Sequence, residues 1–355
     1  MKKIGMLLCV FGSALFGEEP GCRQLFINGT IGTCTPTASA TVKGIYTIVR
    51  GDFLFWIARQ DGLEYDLLSN TLLPVQIMQG VSVREVDFQW SPGSRISVGV
   101  RNLPDDWELK AFWTRFFTSA SQKTEVAAGN GLLNNGVWND GVGIIESADM
   151  TQMSAKWHLH YNLIDGGLSR SYFLGKNLST DLSFGAAGVW IHQGLDVNEQ
   201  NATAASTQYT IIPSEVTLRP ELESSYSAGG LFLRASPQWN LSSSWSVLGT
   251  IASYIVHGVF EIDQKWLVPE LADGDLKMRK SSQRTRIGLQ SALGLQWQTS
   301  PTRANLRVAI AAQYEGIIWF KQNLFSQVNT TFAQNYERRS DLEMQGLSLS
   351  IRLDF

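Results

Sequence analysis

The chain has 355 residues, of which 44% are hydrophobic and 17% charged, and its formal net charge is −3. This length allows one large all-β domain or two ordinary domains. The small net charge, without a cluster of Lys and Arg, argues against a nucleic-acid partner. Beyond residue 16, no apolar stretch reaches the roughly 20 residues that a membrane-spanning helix requires.

The first 17 residues have the layout of a secretory signal peptide. Lys2 and Lys3 precede an apolar run, and the small residue Gly17 follows that run. A charged start, an apolar centre and a small residue at the end are typical of a cleaved export signal. We therefore predict a signal peptide at 1–17, with a buried amino-terminal strand or helix as the alternative.

Residues 18–43 are predicted to form a periplasmic segment before the first strand. This segment contains Cys22 and Cys34. A disulfide between them is plausible in an oxidising compartment, and two free or intermolecular thiols are the alternative. Two cysteines alone do not complete a zinc site.

Ten segments then alternate apolar and polar residues with a period of two, as strands do when their faces meet different surroundings. In RIGLQSALGLQWQ, for example, Ile287, Leu289 and Leu293 share one face, and Gln290 and Gln296 share the other. In chain order, the predicted strands cover 44–60, 84–102, 105–118, 151–165, 179–194, 224–237, 244–262, 281–298, 303–321 and 341–355.

The connections between these segments alternate in length. NLPDDW, GKNLST, WNLSSS and QTSPTR are short and rich in turn residues, whereas the stretches near 61–83, 119–150, 195–223, 263–280 and 322–340 are long. Bacterial outer-membrane barrels have short periplasmic turns and long external loops. The sequence therefore predicts an all-β fold, with residues 44–355 forming a single antiparallel up-and-down transmembrane barrel of about ten to twelve strands.

Three features indicate that the apolar face of these strands meets lipid and not a second sheet. Several segments exceed the roughly 9–11 residues that cross a bilayer at barrel tilt. A closed barrel also leaves no unpaired strand edge in lipid. Finally, aromatic residues near both strand ends predict interfacial girdles. The girdle residues are Trp107, Trp245 and Trp297 beside the short turns, and Trp190 and Trp319 towards the long loops. A soluble β-sandwich is the alternative.

The opposite parity is predicted to face the lumen. The candidate interior cations are Arg95, Arg101, Lys110, Lys156, Arg234, Arg284, Arg286, Arg307 and Arg352, and the candidate anions are Glu108, Asp181, Glu315 and Asp354. A surplus of fixed positive charge favours anions over cations in a pore. The alternative is that these charges pair with one another and plug a narrow barrel.

The segment AKWHLHYNL places His158 and His160 on its polar face, with Trp157 and Tyr161 on the apolar face that is predicted to meet lipid. Without a nearby acid or Cys partner, the two histidines are predicted to be ordinary lumen residues and not a metal site. The sequence shows no G-x-S-x-G motif, so we expect no enzymatic activity. It also shows no phosphate-binding glycine loop, and we expect no cofactor.

Two stretches, GDFLFWIARQDGLEYDL (51–67) and DFQWSPGSRISVGVRNLPDDWELKAFWTRFF (87–117), resemble the major-outer-membrane-protein-like, pore-forming barrels of Chlamydia-related and Legionella-type bacteria. The residues that carry the resemblance are Phe53, Trp56, Asp61, Gly62, Leu63, Trp90, Pro92, Gly93, Arg95 and Trp107. The last strand, LSLSIRLDF, ends at Phe355 and resembles the sorting signal that barrel proteins present to their assembly machinery. The resemblance implies a bacterial outer-membrane barrel that passes small solutes and contributes to envelope integrity.

These observations together predict a porin-like channel for passive diffusion of small solutes, with a weak preference for anions. Its expected partners are outer-membrane lipid, the barrel assembly machinery and small solutes, and a homo-oligomer is left open. The alternatives are a structural or adhesive surface protein with a plugged lumen and a barrel enzyme, either a protease or a lipase.

Overall fold

The computed structural model describes residues 46–69, 81–104, 107–125, 132–134, 152–202, 216–267, 276–299, 306–329, 334–337 and 339–355. The predicted signal peptide and periplasmic segment, with Cys22 and Cys34, lie outside the described residues. Within these ranges, no helix has the length and apolar character needed to cross a membrane.

The described residues form fifteen strands, ten of which close into one antiparallel barrel. In chain order the strands are β1 (Tyr46–Gln60), β2 (Asp66–Ser69), β3 (Val81–Arg84), β4 (Trp90–Leu103), β5 (Trp107–Glu125), β6 (Leu132–Asn134), β7 (Gln152–Phe173), β8 (Leu178–Ala202), β9 (Val216–Asn240), β10 (Trp245–Leu267), β11 (Leu276–Thr299), β12 (Arg307–Trp319), β13 (Ser326–Asn329), β14 (Gln334–Glu337) and β15 (Leu342–Asp354). The barrel order is β1-β15-β12-β11-β10-β9-β8-β7-β5-β4 and back to β1. This confirms the predicted fold, and each predicted segment overlaps one barrel strand.

The last strand seals the barrel. β15 pairs with β12 on one side and with β1 on the other. Beyond the end of β15, the Phe355 N–H donates to the Thr47 carbonyl at 3.0 Å, and the Thr47 N–H donates to the Phe355 carbonyl at 2.8 Å. Each barrel strand therefore has two hydrogen-bonded neighbours, as a sheet in lipid requires.

The two ends of the barrel differ. The links β4–β5, β7–β8, β9–β10 and β11–β12, together with the start of β1 and the end of β15, define the short-turn end. All other connections between barrel strands lie at the opposite, long-loop end. Two small sheets, β3-β2-β6 and β13-β14, also belong to the long connections.

The outer face of the short-turn half is a continuous apolar belt. Leu231 is 69% exposed and Leu293 is 66% exposed, which is typical of side chains that meet lipid and not water. Trp107, Trp245 and Trp297 lie on this outer face near the short turns, and Trp190 lies near its opposite edge.

The prediction that Trp319 belongs to an outer girdle is wrong. The Trp319 side chain is on the inner face and is 0% exposed. Its parity on β12 is that of Glu315 and Ile317, which are also buried, so the indole points into the lumen.

Several strands continue well beyond the apolar belt towards the long-loop end. β5 ends at residue 125 instead of the predicted 118, β8 ends at 202 instead of 194, and β9 begins at 216 instead of 224. Where the structure describes their side chains, the outer faces of these extensions are polar and therefore lack the apolar alternation that predicts a membrane strand. The stretches were predicted as loops for that reason, whereas the structure continues the barrel wall there.

Candidate functional site

The lumen is the candidate functional site, and its short-turn end carries a charge cluster from three strands. The Lys110 Nζ lies 2.6 Å from Glu108 Oε2 and 3.0 Å from Asp181 Oδ2. Arg101 Nη2 donates to Glu108 Oε2 at 3.0 Å. The four side chains satisfy one another, so this part of the inner wall is internally paired.

Other cations line the same end. Arg352 Nε lies 2.6 Å from Asp354 Oδ1, and Arg50 Nε lies 2.6 Å from Asp52 Oδ1. Arg307 lies on the same inner face, half-buried. The wall at this end therefore holds several guanidinium groups close to the opening.

A hydrogen-bonded chain, here called the lumen belt, runs around the inner wall at the middle of the barrel. Its members are Asp52, Arg95, Glu315, Gln290, Tyr254, Arg234 and Asp165. Each member comes from a different barrel strand, and every one of them is buried.

The lumen belt begins at Arg95 on β4. Arg95 Nη1 lies 3.0 Å from Glu315 Oε2 and 3.4 Å from Asp52 Oδ2, and Arg95 Nε donates to Thr114 Oγ1 at 2.9 Å. Gln290 Nε2 then donates to Glu315 Oε2 at 3.3 Å. Buried charges of this kind persist only when they are paired and hydrogen-bonded.

The belt ends on β7, which only β5 separates from β4 in the closed ring. Tyr254 OH donates to Gln290 Oε1 at 3.0 Å and accepts a hydrogen bond from Arg234 Nη2 at 2.8 Å. The same Nη2 donates to Asp165 Oδ2 at 2.9 Å. Through these contacts β4 and β12 are connected to β11, β10, β9 and β7.

Above the belt, towards the long-loop end, aromatic side chains fill the lumen. This aromatic plug consists of Trp56, Phe116, Trp157, Tyr161 and Trp319, with Tyr254 of the lumen belt at its base, and each of these side chains is at most 1% exposed. Ring centres lie 5.5 Å apart for Trp56 and Phe116 and 5.8 Å apart for Tyr254 and Trp319.

The decisive contact joins opposite walls. Trp319 Nε1 donates to Tyr161 OH at 3.3 Å. Trp319 is on β12 and Tyr161 on β7, and four strands separate β12 from β7 in either direction around the ring. Two side chains therefore meet across the full width of the barrel.

The structure places most of the predicted lumen charges on the inner face. These are Arg95, Arg101, Lys110, Arg234, Arg284, Arg286, Arg307, Arg352, Glu108, Asp181, Glu315 and Asp354. Arg286 lies with its guanidinium carbon 4.8 Å from the centre of the Phe260 ring. A role for these charges in ion selectivity stays a prediction.

The predicted lumen position of Lys156 is wrong, and so are those of His158 and His160. All three lie on the outer face of β7, whereas Trp157 and Tyr161 point inward and are 0% exposed. This part of β7 lies beyond the apolar belt. Because its outer face meets water there, the apolar residues of the strand pack inside.

The aromatic plug was missed from the sequence for the same reason. A signal was present: apolar outward residues on β7 begin only at Ile164, and the preceding residues of the same parity are polar. A run of polar residues on the supposed lipid face indicates that the strand has left the membrane.

Comparison with protein families supplies the identification. The family described as Legionella pneumophila major outer membrane protein precursor matches residues 49–355. The chain belongs to this family. It is therefore a protein of the bacterial outer membrane, and the resemblance seen in its amino-terminal third is confirmed.

Solved structures with a similar outline include the outer membrane protease OmpT from Escherichia coli, at 8% identity and a TM-score of 0.34, covering 87% of this chain and 96% of that one. A Pseudomonas aeruginosa FadL homologue has 8% identity and a TM-score of 0.24, covering 97% and 95%. Ail of Yersinia pestis has 9% identity and a TM-score of 0.20, covering 88% and 99%. At these scores the similarity carries no argument about activity. Among curated proteins, none matches this chain.

Proposed function

We propose that this outer-membrane protein is a closed barrel with a structural and surface-presenting role in the envelope. The observation that carries the proposal is the contact between Trp319 and Tyr161 across the lumen. A barrel of this width has room for side chains to fill its interior, and here the aromatic plug and the lumen belt fill it at successive levels.

The energetics of the interior support a closed state. An ion that crosses the lumen must displace the aromatic plug, because the contact between Trp319 and Tyr161 spans the bore. An ion stripped of water between these buried side chains has a high free energy unless a partner compensates its charge. Passive diffusion through this interior is therefore strongly disfavoured.

The extended wall supports the surface role. β5, β8, β9, β10 and β11 continue past the apolar belt with polar outer faces. They raise the long connections above the membrane, on the side that barrels of this kind turn towards the exterior. Adhesion to a host or to neighbouring proteins would use this end.

A porin-like channel with a weak anion preference is the second candidate. The guanidinium groups of Arg50, Arg307 and Arg352 near the short-turn opening favour it, because fixed positive charge attracts anions. This function requires the aromatic plug to move. The absence of enzymatic activity, the assembly machinery as partner and a homo-oligomer stay predictions.

Planar-bilayer conductance of the purified, refolded protein tests the proposal. We expect no discrete openings in the wild-type protein. The double variant Trp319→Ala with Tyr161→Ala removes the contact across the lumen and is expected to produce measurable openings.

Trp113→Ala is the matched control, because this indole lies on the outer face and is 45% exposed. This variant should show no discrete openings, like the wild-type protein. Stable, discrete openings in the wild-type protein would overturn the closed barrel and establish the channel.

A further inference from the structure

Three of the four histidines in the chain meet on the outer face of the barrel. His158 and His160 lie on β7, and His192 lies on β8 directly opposite His160 in register. Ring centres are 5.9 Å apart for His158 and His160, 5.7 Å for His158 and His192, and 5.8 Å for His160 and His192. The three rings form a nearly equilateral triangle, here called the His triangle.

Two neighbouring residues hold these rings in place. His192 Nδ1 lies 2.7 Å from Ser225 Oγ, a contact that fixes the ring and leaves Nε2 available to a ligand. The His158 ring packs over the backbone at Gly194, where a Cβ would clash with its Cε1 and Nε2 atoms. An alanine at position 194 would therefore displace the His158 ring from this position.

Carboxylates flank the His triangle and make its surroundings suitable for a cation. Glu223 on β9 is opposite Gly194 in register, and Asp196 follows Gly194 by two residues on the same face of β8. Lys156 is the register partner of Asp196 and offsets its negative charge. Glu223 lies on the β9 side of Gly194. Oxygen from a carboxylate or a water can complete a set of three imidazoles around a divalent metal.

We propose that the His triangle is a binding site for a divalent transition metal such as Zn²⁺. A tetrahedral zinc ion with Zn–N bonds of about 2.1 Å separates the centres of its imidazole ligands by about 5.3 Å. The observed separations exceed this value by about half an ångström, a distance that small side-chain rotations close. In the described ranges, no group of three or more His, Cys, Asp and Glu side chains is placed to hold a metal ion as the side chains stand, so binding requires the three rings to move together.

The position of the site also suits a ligand that arrives from outside the cell. Trp190, two residues before His192 on the same face, is 44% exposed and marks the edge of the apolar belt. The His triangle lies just beyond this edge on the long-loop side. Imidazoles suit Zn²⁺, Cu²⁺ and Ni²⁺ and discriminate against Ca²⁺ and Mg²⁺, which prefer oxygen ligands.

Calorimetric titration of Zn²⁺ into the full-length folded protein in detergent micelles tests the proposal, with Co²⁺ absorption as a second readout. We expect one ion per chain and the visible spectrum of tetrahedral Co²⁺. His192→Ala should lower the affinity at least about tenfold. Gly194→Ala keeps all three histidines but displaces His158, so it should lower the affinity as well.

His257→Ala is the matched control. His257 is the fourth histidine, lies on the outer face of β10, and its Nδ1 contacts Thr285 Oγ1 at 3.0 Å. Its removal should leave Zn²⁺ affinity unchanged, and circular dichroism establishes that each variant is folded. Zn²⁺ binding that is absent in the wild type, or equally strong in folded His192→Ala and Gly194→Ala variants, would overturn the site.

Discussion

The two halves of the barrel use the same strands in opposite ways. In the short-turn half, apolar residues point outward and charged residues point into the lumen. In the long-loop half, the outer face is polar and the aromatic plug points inward. β7 contains both arrangements at a single parity, because Ile164 is an outward residue in the apolar belt and His158 is an outward residue beyond it. Parity thus determines the direction of a side chain, and the local solvent determines which polarity is stable there.

The variant with the largest expected effect tests whether water is excluded from the lumen belt. Arg95→Ala leaves Glu315 buried without its ion-pair partner and leaves Asp52 paired with Arg50 alone, so it should lower the free energy of unfolding by about 3–5 kcal/mol. Denaturant unfolding in detergent or lipid measures it. Arg95→Met combined with Glu315→Gln should recover part of the loss. A loss below about 1 kcal/mol would mean that water solvates the belt, and the comparison between the halves would fail.

Much of the barrel could be predicted because strand alternation is local in sequence. The ten segments, the even number of strands and the final strand that ends at Phe355 are all visible in short stretches. The long-loop ends of these strands could not be predicted, because the rule that apolar residues face lipid stops applying where the strand leaves the bilayer. Trp157 and Lys156 were placed on the wrong sides for that reason.

The contacts inside the lumen could not be predicted, since they depend on the stagger between strands. Arg95 and Glu315 were recognised as lumen charges, but 220 positions separate them in the chain. Only the closed register brings them within hydrogen-bonding distance. The same holds for His192, which completes the His triangle because it pairs with His160 in register. Sequence spacing alone shows only the first two members.

A second prediction, with a smaller effect, compares two outward positions on a single strand, one in the apolar belt and one beyond it. Leu293 and Gln283 both point outward from β11, the first in the apolar belt and the second beyond it. Leu293→Arg should destabilise the protein in lipid vesicles by about 2–4 kcal/mol, whereas Gln283→Arg should cost no more than about 1 kcal/mol. Reversible unfolding in vesicles compares them. Equal costs would place both positions in the same solvent and remove the boundary between the halves.

The smallest expected effect concerns an ion pair on the outer face, in contrast to the buried ion pairs of the lumen belt. Arg279 Nε lies 2.8 Å from Asp263 Oδ2 on the outer face of the long-loop half, and the Arg279 side chain is 81% exposed. Because water already solvates the Arg279 guanidinium, Arg279→Ala should change the free energy of unfolding by less than about 1 kcal/mol, and salt should reduce even that. Denaturant unfolding at low and high ionic strength measures it. A large, salt-insensitive loss would mean that this face is covered, and the long-loop half would then need a partner that excludes water from it.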